Sequence, residues 1–312
     1  MMRVHRQRGV ILISVLILVA LAAVVAVGLF FDTGLAARRA ASSLGMEEAL
    51  QLGQGAEALA AYALSQDTNQ TDTPQDAWAQ PTGEFQVAPE VAMQGRLVDL
   101  QGRFNINSLI GQGGVRDQNN YKVFVRLLEL LQLDTGLADL IVDWLDTDTQ
   151  AQPQGGEDSL YLSQDPPHLT ANLAITSTSE LMQIPGVTRE VYRKLAPHIA
   201  ALPPTVRTIN VCMADGFVLD ALYALNPSQP GHVEYSLLSD QDLAKQRTGD
   251  CFPRRTAIAA GAPLMQAATT ERTNWFQLQT WVRIGSAEFD LYSLMYRQGR
   301  QARAVLRSLG TD

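Results

Sequence analysis

Hydrophobic positions follow three different patterns along this chain. Over residues 10–31 they are continuous: VILISVLILVALAAVVAVGLFF carries no charge, and Ser14 is its only side chain with a clear polar group. As a helix this run rises roughly 30 Å, the thickness of a bilayer's hydrocarbon core. Within a helix the Ser14 hydroxyl can bond back to an upstream carbonyl. Over residues 32–65 apolar positions recur every three or four residues, at Leu44, Ala49, Leu52, Ala56, Leu59 and Ala63. That spacing predicts a continuation of the same helix, half in lipid and half in water. Gly28, Gly34, Gly45, Gly53 and Gly55 interrupt it, each at roughly 1 kcal/mol relative to Ala, and mark bends or close contacts with neighbouring helices.

Beyond the helix the pattern breaks and then alternates. Residues 67–89 are polar with little periodicity and read as a loop. Residues 95–100, a Gln101-Gly102 turn and residues 103–107 read as an antiparallel hairpin. Short amphipathic helices follow at 121–133 and 135–145, then a polar loop at 147–170. A helix pair spans 179–202, hinged at Ile184-Pro185-Gly186-Val187, and a further helix spans 215–225. Strand alternation returns at 274–283, 287–297 and 300–309, with glycine-containing turns between. The prediction is an α+β chain in which the flanking strands form one antiparallel sheet on the outer half of the long helix. The helical part is then an insertion into that sheet domain.

Charge narrows the function. The chain has 32 Asp and Glu against 24 Lys and Arg, a net −8. Nucleic acid is therefore not expected as the main partner, because phosphate binding needs a concentrated basic surface. Arg3, Arg6 and Arg8 precede the apolar run and Asp32 follows it, which orients the N-terminus to the cytoplasm and the remainder outside. Two cysteines occur, Cys212 and Cys251. Outside the cytoplasm such a pair most often closes one disulfide, worth roughly 3–4 kcal/mol for a loop of this length; two separate buried thiols are the alternative.

Two stretches carry chemistry. Asp146, Asp148 and Gln150 alternate, and Glu157 lies eleven residues after Asp146, the spacing of positions 1, 3, 5 and 12 of a looped calcium site. Asp143 and Asp158 are further candidate ligands, as is Asp165 across the loop. Ala151 stands where such loops place glycine and Pro153 interrupts the backbone; a solvated acidic loop is the competing reading. The hinge at 184–187 resembles a helix-hairpin-helix, whose N–H groups can meet phosphate. It supports an alternative identity, a membrane-anchored periplasmic DNA-binding protein of an uptake system, with Arg189, Arg193 and Lys194 as its modest basic face. The four histidines are scattered, and no nucleophile elbow or phosphate loop occurs, so no catalysis is expected.

The first stretch admits three readings: a cleaved secretory signal, a plain membrane anchor, or a prepilin-like leader cut after Gly9 with the apolar helix retained. Arg6-Gln7-Arg8-Gly9 followed at once by Val10-Ile11-Leu12 resembles the third. Together with Gly102-Arg103-Phe104-Asn105-Ile106-Asn107, with Asp143-Trp144-Leu145-Asp146-Thr147-Asp148 and with Gly155-Gly156-Glu157-Asp158-Ser159-Leu160-Tyr161, nearly the whole chain resembles the K-type minor pseudopilins of bacterial type II secretion. The resemblance implies a pilin-like fold with a large α-helical insert. Its segments would be a leader at 1–9, a transmembrane helix at 10–31, an αβ domain at 32–116 and 263–312, and the insert at 117–262. It implies calcium in the periplasmic part and cleavage between Gly9 and Val10 by a prepilin peptidase, with N-methylation. It also implies a single pass through the inner membrane and a place at the pseudopilus tip with other minor pseudopilins. There the insert would face a secreted substrate or the outer-membrane secretin. Pilin-like subunits usually carry Glu five residues after the cut; Ser14 stands there, as expected of a subunit with no neighbour ahead of it.

Overall fold

The computed structural model describes residues 8–223, 234–239, 241–243 and 267–310. Helix α1 (Arg8–Gln66) runs 59 residues without a break, roughly 90 Å. Along its first half the large apolar side chains are exposed, Leu16, Val24 and Phe30 among them. Its second half turns a stripe of small residues, Gly45, Ala49, Gly53, Ala56 and Ala60, toward a sheet. A Cβ built on Gly53 would lie 3.0 Å from Leu291 Cδ1, so the missing side chain is what lets helix and sheet close up. The predicted helix-to-helix role of these glycines is thus corrected at Gly45 and Gly53, which face strand side chains. Glu57 lies on the same stripe. Burial pulls its carboxyl up, but hydrogen bonds from Arg307 (2.7 Å) and Ser293 (2.7 Å) outweigh it and hold the group below its ordinary range.

After α1 come β1 (Phe85–Ala88) and β2 (Val91–Asp99). The chain then leaves the sheet through β3 (Phe104–Asn105), α2 (Gln118–Leu130), α3 (Leu137–Leu145), α4 (Asp158–Tyr161), α5 (Arg189–Leu195), β4 (Ile199–Ala200), β5 (Ile209–Asn210) and α6 (Gly216–Tyr223). It returns through β6 (Thr269–Thr270) to β7 (Trp275–Ile284), β8 (Ala287–Gln298) and β9 (Gln301–Leu309). The sheet order is β1-β2-β7-β8-β9, antiparallel throughout. Alternate residues of β7, Phe276, Leu278, Thr280 and Val282, are buried, as period-two packing requires. Trp78 closes this core edge-on to Phe276, ring centroids 4.9 Å apart.

Two sequence expectations fail here. The stretch read as a loop contains β1, which the polar residues around it disguise. The expected hairpin does not form: β2 pairs with β1 and β7, whereas β3 pairs in parallel with β4. The Gly102 N–H donates to Asp99 Oδ1, turning the chain out of the sheet. Phe104 then stacks on Phe124 (5.3 Å) inside a second core built by the insert. The Asn-Ile-Asn motif closes that core. Asn105 Oδ1 accepts from Leu202 N (3.0 Å), and Asn107 Nδ2 donates to Ile175 O and Leu202 O (both 2.8 Å). Each amide satisfies buried backbone groups that no regular element reaches.

Sheet and insert meet at a buried polar junction. Arg297 is 1 % exposed. It pairs with Asp67 (2.9 Å) and Asp72, and its Nε donates to Thr273 O (3.0 Å). Thr273 donates its hydroxyl to Asp99 Oδ2 and receives Asn210 Nδ2 (2.9 Å). Burial pushes the Asp99 carboxyl up to about 6; hydrogen bonds from Thr273 and Gly102 counter it, and the Asp72 charge adds to it.

Because this pKa lies above the ordinary 3.8, the folded protein takes up a proton between roughly pH 4 and 6. Stability from this group is complete below that window and is lost as pH rises through it, by about 3 kcal/mol. Asp99→Asn keeps an oxygen for Gly102 N–H and an amide for Thr273. Thermal midpoints of the detergent-solubilised protein across pH 4–7 should therefore flatten in the variant relative to the wild type.

Candidate metal centre

The acidic loop is shaped by the helix before it. Helix α3 is amphipathic, with Ile141, Val142 and Leu145 in the insert core. It ends at Asp146, whose N–H still reaches Val142 O (2.9 Å), because the polar, glycine-rich stretch that follows offers nothing to extend it. Asp139 and Asp143, four residues apart on one face, catch the returning loop. Asp143 accepts Gln152 N on both oxygens (3.1 and 3.0 Å), and Asp139 Oδ2 accepts Gln154 N (3.1 Å). Asp139 Oδ1 is itself held by Tyr121 Oη (2.7 Å). Gly155 passes against this pair; a Cβ there would collide with Asp143 Oδ2 and lie 3.2 Å from Asp139 O.

Folding the loop back brings three carboxylates together. Asp146, Asp148 and Glu157 present oxygens that all lie within 4.8 Å of one another. Asp146 is 2 % exposed, Glu157 half-buried and Asp148 exposed. Asp146 Oδ1 and both Glu157 oxygens are buried without a hydrogen-bond partner, and none of the three residues forms an ion pair among the described residues. Burial, then the charges of Asp148, Asp143 and Glu157, push Asp146 up to about 7. Burial and the neighbouring acids raise Glu157 as well. Orphaned, mutually repelling, hard oxygen donors fit a divalent cation such as calcium.

The other predicted ligands have different partners. Asp143 serves the loop backbone. Gln150 lends its N–H to Asp148 Oδ1 (2.8 Å). Asp158 begins α4 and takes Thr170 N (3.0 Å) and Thr170 Oγ1 (2.7 Å), tying the far side of the loop. Asp165 is exposed and stands outside the cluster. Behind the site Trp144, Tyr161 and His168 form an aromatic wall, with centroids 5.0 and 5.4 Å apart. The positioning role of Asp139 was missed from sequence; its place one turn before Asp143 is the signal that could have found it.

The remaining candidates lie elsewhere. Gly9 and Val10 are in the first turn of α1, and Ser14 is on its exposed part. Cys212 is fully buried and its N–H donates to Asn210 Oδ1 (2.9 Å); Cys251 lies outside the described residues. The hinge at 184–187 forms a hairpin with Gly186 at φ +88°, and it buries Ile184 and Val187 in the insert core.

Residues 102–204 match a family model described as type II secretion system (T2SS), protein K. The type II secretion system protein K of Pseudomonas aeruginosa is 31 % identical over 97 % of this chain and 93 % of its own length. That of Aeromonas hydrophila is 32 % identical over 98 % and 97 %. Among solved structures, the fold is similar to a chain in the GspK-GspI-GspJ complex of the enterotoxigenic Escherichia coli type 2 secretion system. The TM-score is 0.70 and the identity 24 %, over 88 % of this chain and 100 % of that one.

Gly155→Ala should disturb the carboxylate cradle directly. A loss of about 1–3 kcal/mol, read from urea or thermal unfolding, is the expected result of packing a methyl group against Asp143 and Asp139 O.

Proposed function

From its membership of the type II secretion system protein K family, to which this chain belongs, we propose that it is a minor pseudopilin that starts or caps the pseudopilus at its tip. The observation that carries the reading is the division of α1. Its inner half is bare and apolar, long enough to cross a membrane, while its outer half is committed to the sheet. Such a helix has one surface for lipid or neighbouring helices and another for its own head domain. Ala22, Ala23, Ala26 and Gly28 allow close approach of a partner helix. The head carries the insert between β2 and β7, and a bulky insert obstructs stacking of a further subunit above it.

In this reading the basic leader is cut after Gly9 by a prepilin peptidase and Val10 becomes the methylated N-terminus. The N-terminus faces the cytoplasm and the head stands in the periplasm. Ser14 fits the tip position: a buried carboxylate with no neighbouring ammonium ahead of it would remain unpaired, at considerable cost. The partners are other minor pseudopilins; one relative in fold was solved in complex with GspI and GspJ. The insert is the part available to a secreted substrate or to the secretin. Cys212 and Cys251 close a disulfide that joins the insert core to the segment before β6.

Calcium is the proposed occupant of the carboxylate cluster, held by Asp146, Asp148 and Glu157. It would neutralise their repulsion and pin the loop to the end of α3.

Three measurements bear on these points. The mature protein should lack residues 1–9 by intact mass, and Gly9→Ala should accumulate uncut; a normal mature mass in that variant would overturn the leader reading. A fragment starting after residue 31 should bind soluble partner minor pseudopilins in size-exclusion chromatography, and failure with folded partners would count against the tip assembly. Calcium at about 100 times its Kd should stabilise the wild type by about 3 kcal/mol. Chelator should reverse that shift, and Asp146→Asn should largely abolish it.

A further inference from the structure

The two edges of the sheet are built differently. The β1 edge is four residues long and its ladder is irregular between Gln86 and Ala88, features that discourage pairing. The β9 edge also has one register shift, against Leu294 and Met295 of β8, but it runs nine residues, and no strand among the described residues pairs with its outer side. Val305, Leu306 and Leu309 are 44 %, 46 % and 45 % exposed along it. A long edge with exposed apolar side chains and an outer side unpaired among the described residues is a template for another strand.

Its charge is as distinctive as its shape. Residues 299–310 hold Arg300, Arg303 and Arg307 and no acid, in a chain of net charge −8. Glu57 engages Arg307, and Ser65 O engages Arg300. Arg303 makes no hydrogen bond or ion pair among the described residues. Next to the strand, between sheet and insert, lies a cleft of about 280 Å³ reached by Leu306 of β9 and by Arg103. Among the described residues its lining has no carboxylate; the loop of hydroxyls at Thr176 and Thr178 forms one wall. Arg103 is half-buried and its charge bears on the buried Asp99, yet its guanidinium forms no ion pair among the described residues.

The geometry points to β9 as a docking edge for an extended acidic segment of a protein partner, which adds to the sheet as its sixth strand. Backbone groups of β9 supply the ladder. On the insert-facing side of the sheet the segment's carboxylates meet Arg303 and Arg103 beside Leu306 through charge-assisted hydrogen bonds, and its alternate apolar side chains lie on the opposite face with Leu309. The requirement is general to a partner of this chemistry and stands independently of the tip position.

The test uses the full-length protein in detergent and a fluorescein-labelled nine-residue peptide of alternating glutamate and valine, followed by anisotropy. Saturable binding is expected, weakened at least about tenfold by the Arg103→Gln/Arg303→Gln double variant and by replacing the glutamates with lysine. Two backbone N-methylated versions of the peptide, blocked at odd or at even residues, separate strand addition from simple charge attraction. One should bind and the other lose about tenfold or more. Absence of saturation by about 1 mM, equal binding of both methylated peptides, or an unchanged Kd in the double variant overturns the proposal.

Discussion

A single guanidinium holds the two halves of this molecule in register. Arg297 comes from β8, takes Asp67 and Asp72 from the segment after α1, and reaches the backbone of Thr273 as the chain re-enters the sheet. Thr273 passes the network on to Asp99 at the end of β2 and to Asn210 of the insert. The exit from the sheet and the return to it are thus clamped at one point. Two carboxylates, Asp67 and Asp72, face this one guanidinium, and a third, Asp99, lies beyond Thr273 with the charge of Arg103 bearing on it. Hydroxyl and backbone N–H groups reach Asp99 and one oxygen of Asp72, Asp72 Oδ1 has no partner among the described residues, and burial raises both Asp99 and Asp72 toward the neutral form. Such a network adds little net stability compared with apolar packing, but removing one member leaves the others buried and unpaired.

The same logic explains why the acidic loop is a separate matter from the junction. At the junction each carboxylate has a donor. At the loop, Asp139, Asp143 and Asp158 have donors, and these bonds form the loop's shape. Asp146 and Glu157 are left with buried oxygens that the protein does not satisfy. The division separates carboxylates that build the loop from carboxylates with buried oxygens left open. Both kinds are the same residue type within one stretch of the chain, and only their partners distinguish them.

Much of the architecture was legible because it rests on short-range periodicity. The 59-residue helix, the amphipathic α2 and α3, and strands β7 to β9 all follow from the spacing of Leu, Ala, Val and aromatic residues. The Asp146-Asp148-Glu157 set was legible too, because a tight loop constrains which carboxylates converge. Strand β1 was hidden by its polar surroundings. The hairpin at 95–107 was misread because alternation in Phe104 to Asn107 is equally satisfied by a strand in a different core. A pattern of two records that one face is buried, not which partner buries it.

The sequence by itself determined a membrane-length apolar helix continued as an amphipathic one, a terminal meander, a run of short helices between the strands and an acidic loop. Each is written in residues close together in the chain. Tertiary structure alone decided which face of α1 meets the sheet and that β2 pairs with β7 rather than β3. It also decided that Arg297 joins segments more than two hundred residues apart, and which acids keep unsatisfied oxygens. Those outcomes depend on burial, and burial is a property of distant segments brought together, so no local pattern records it.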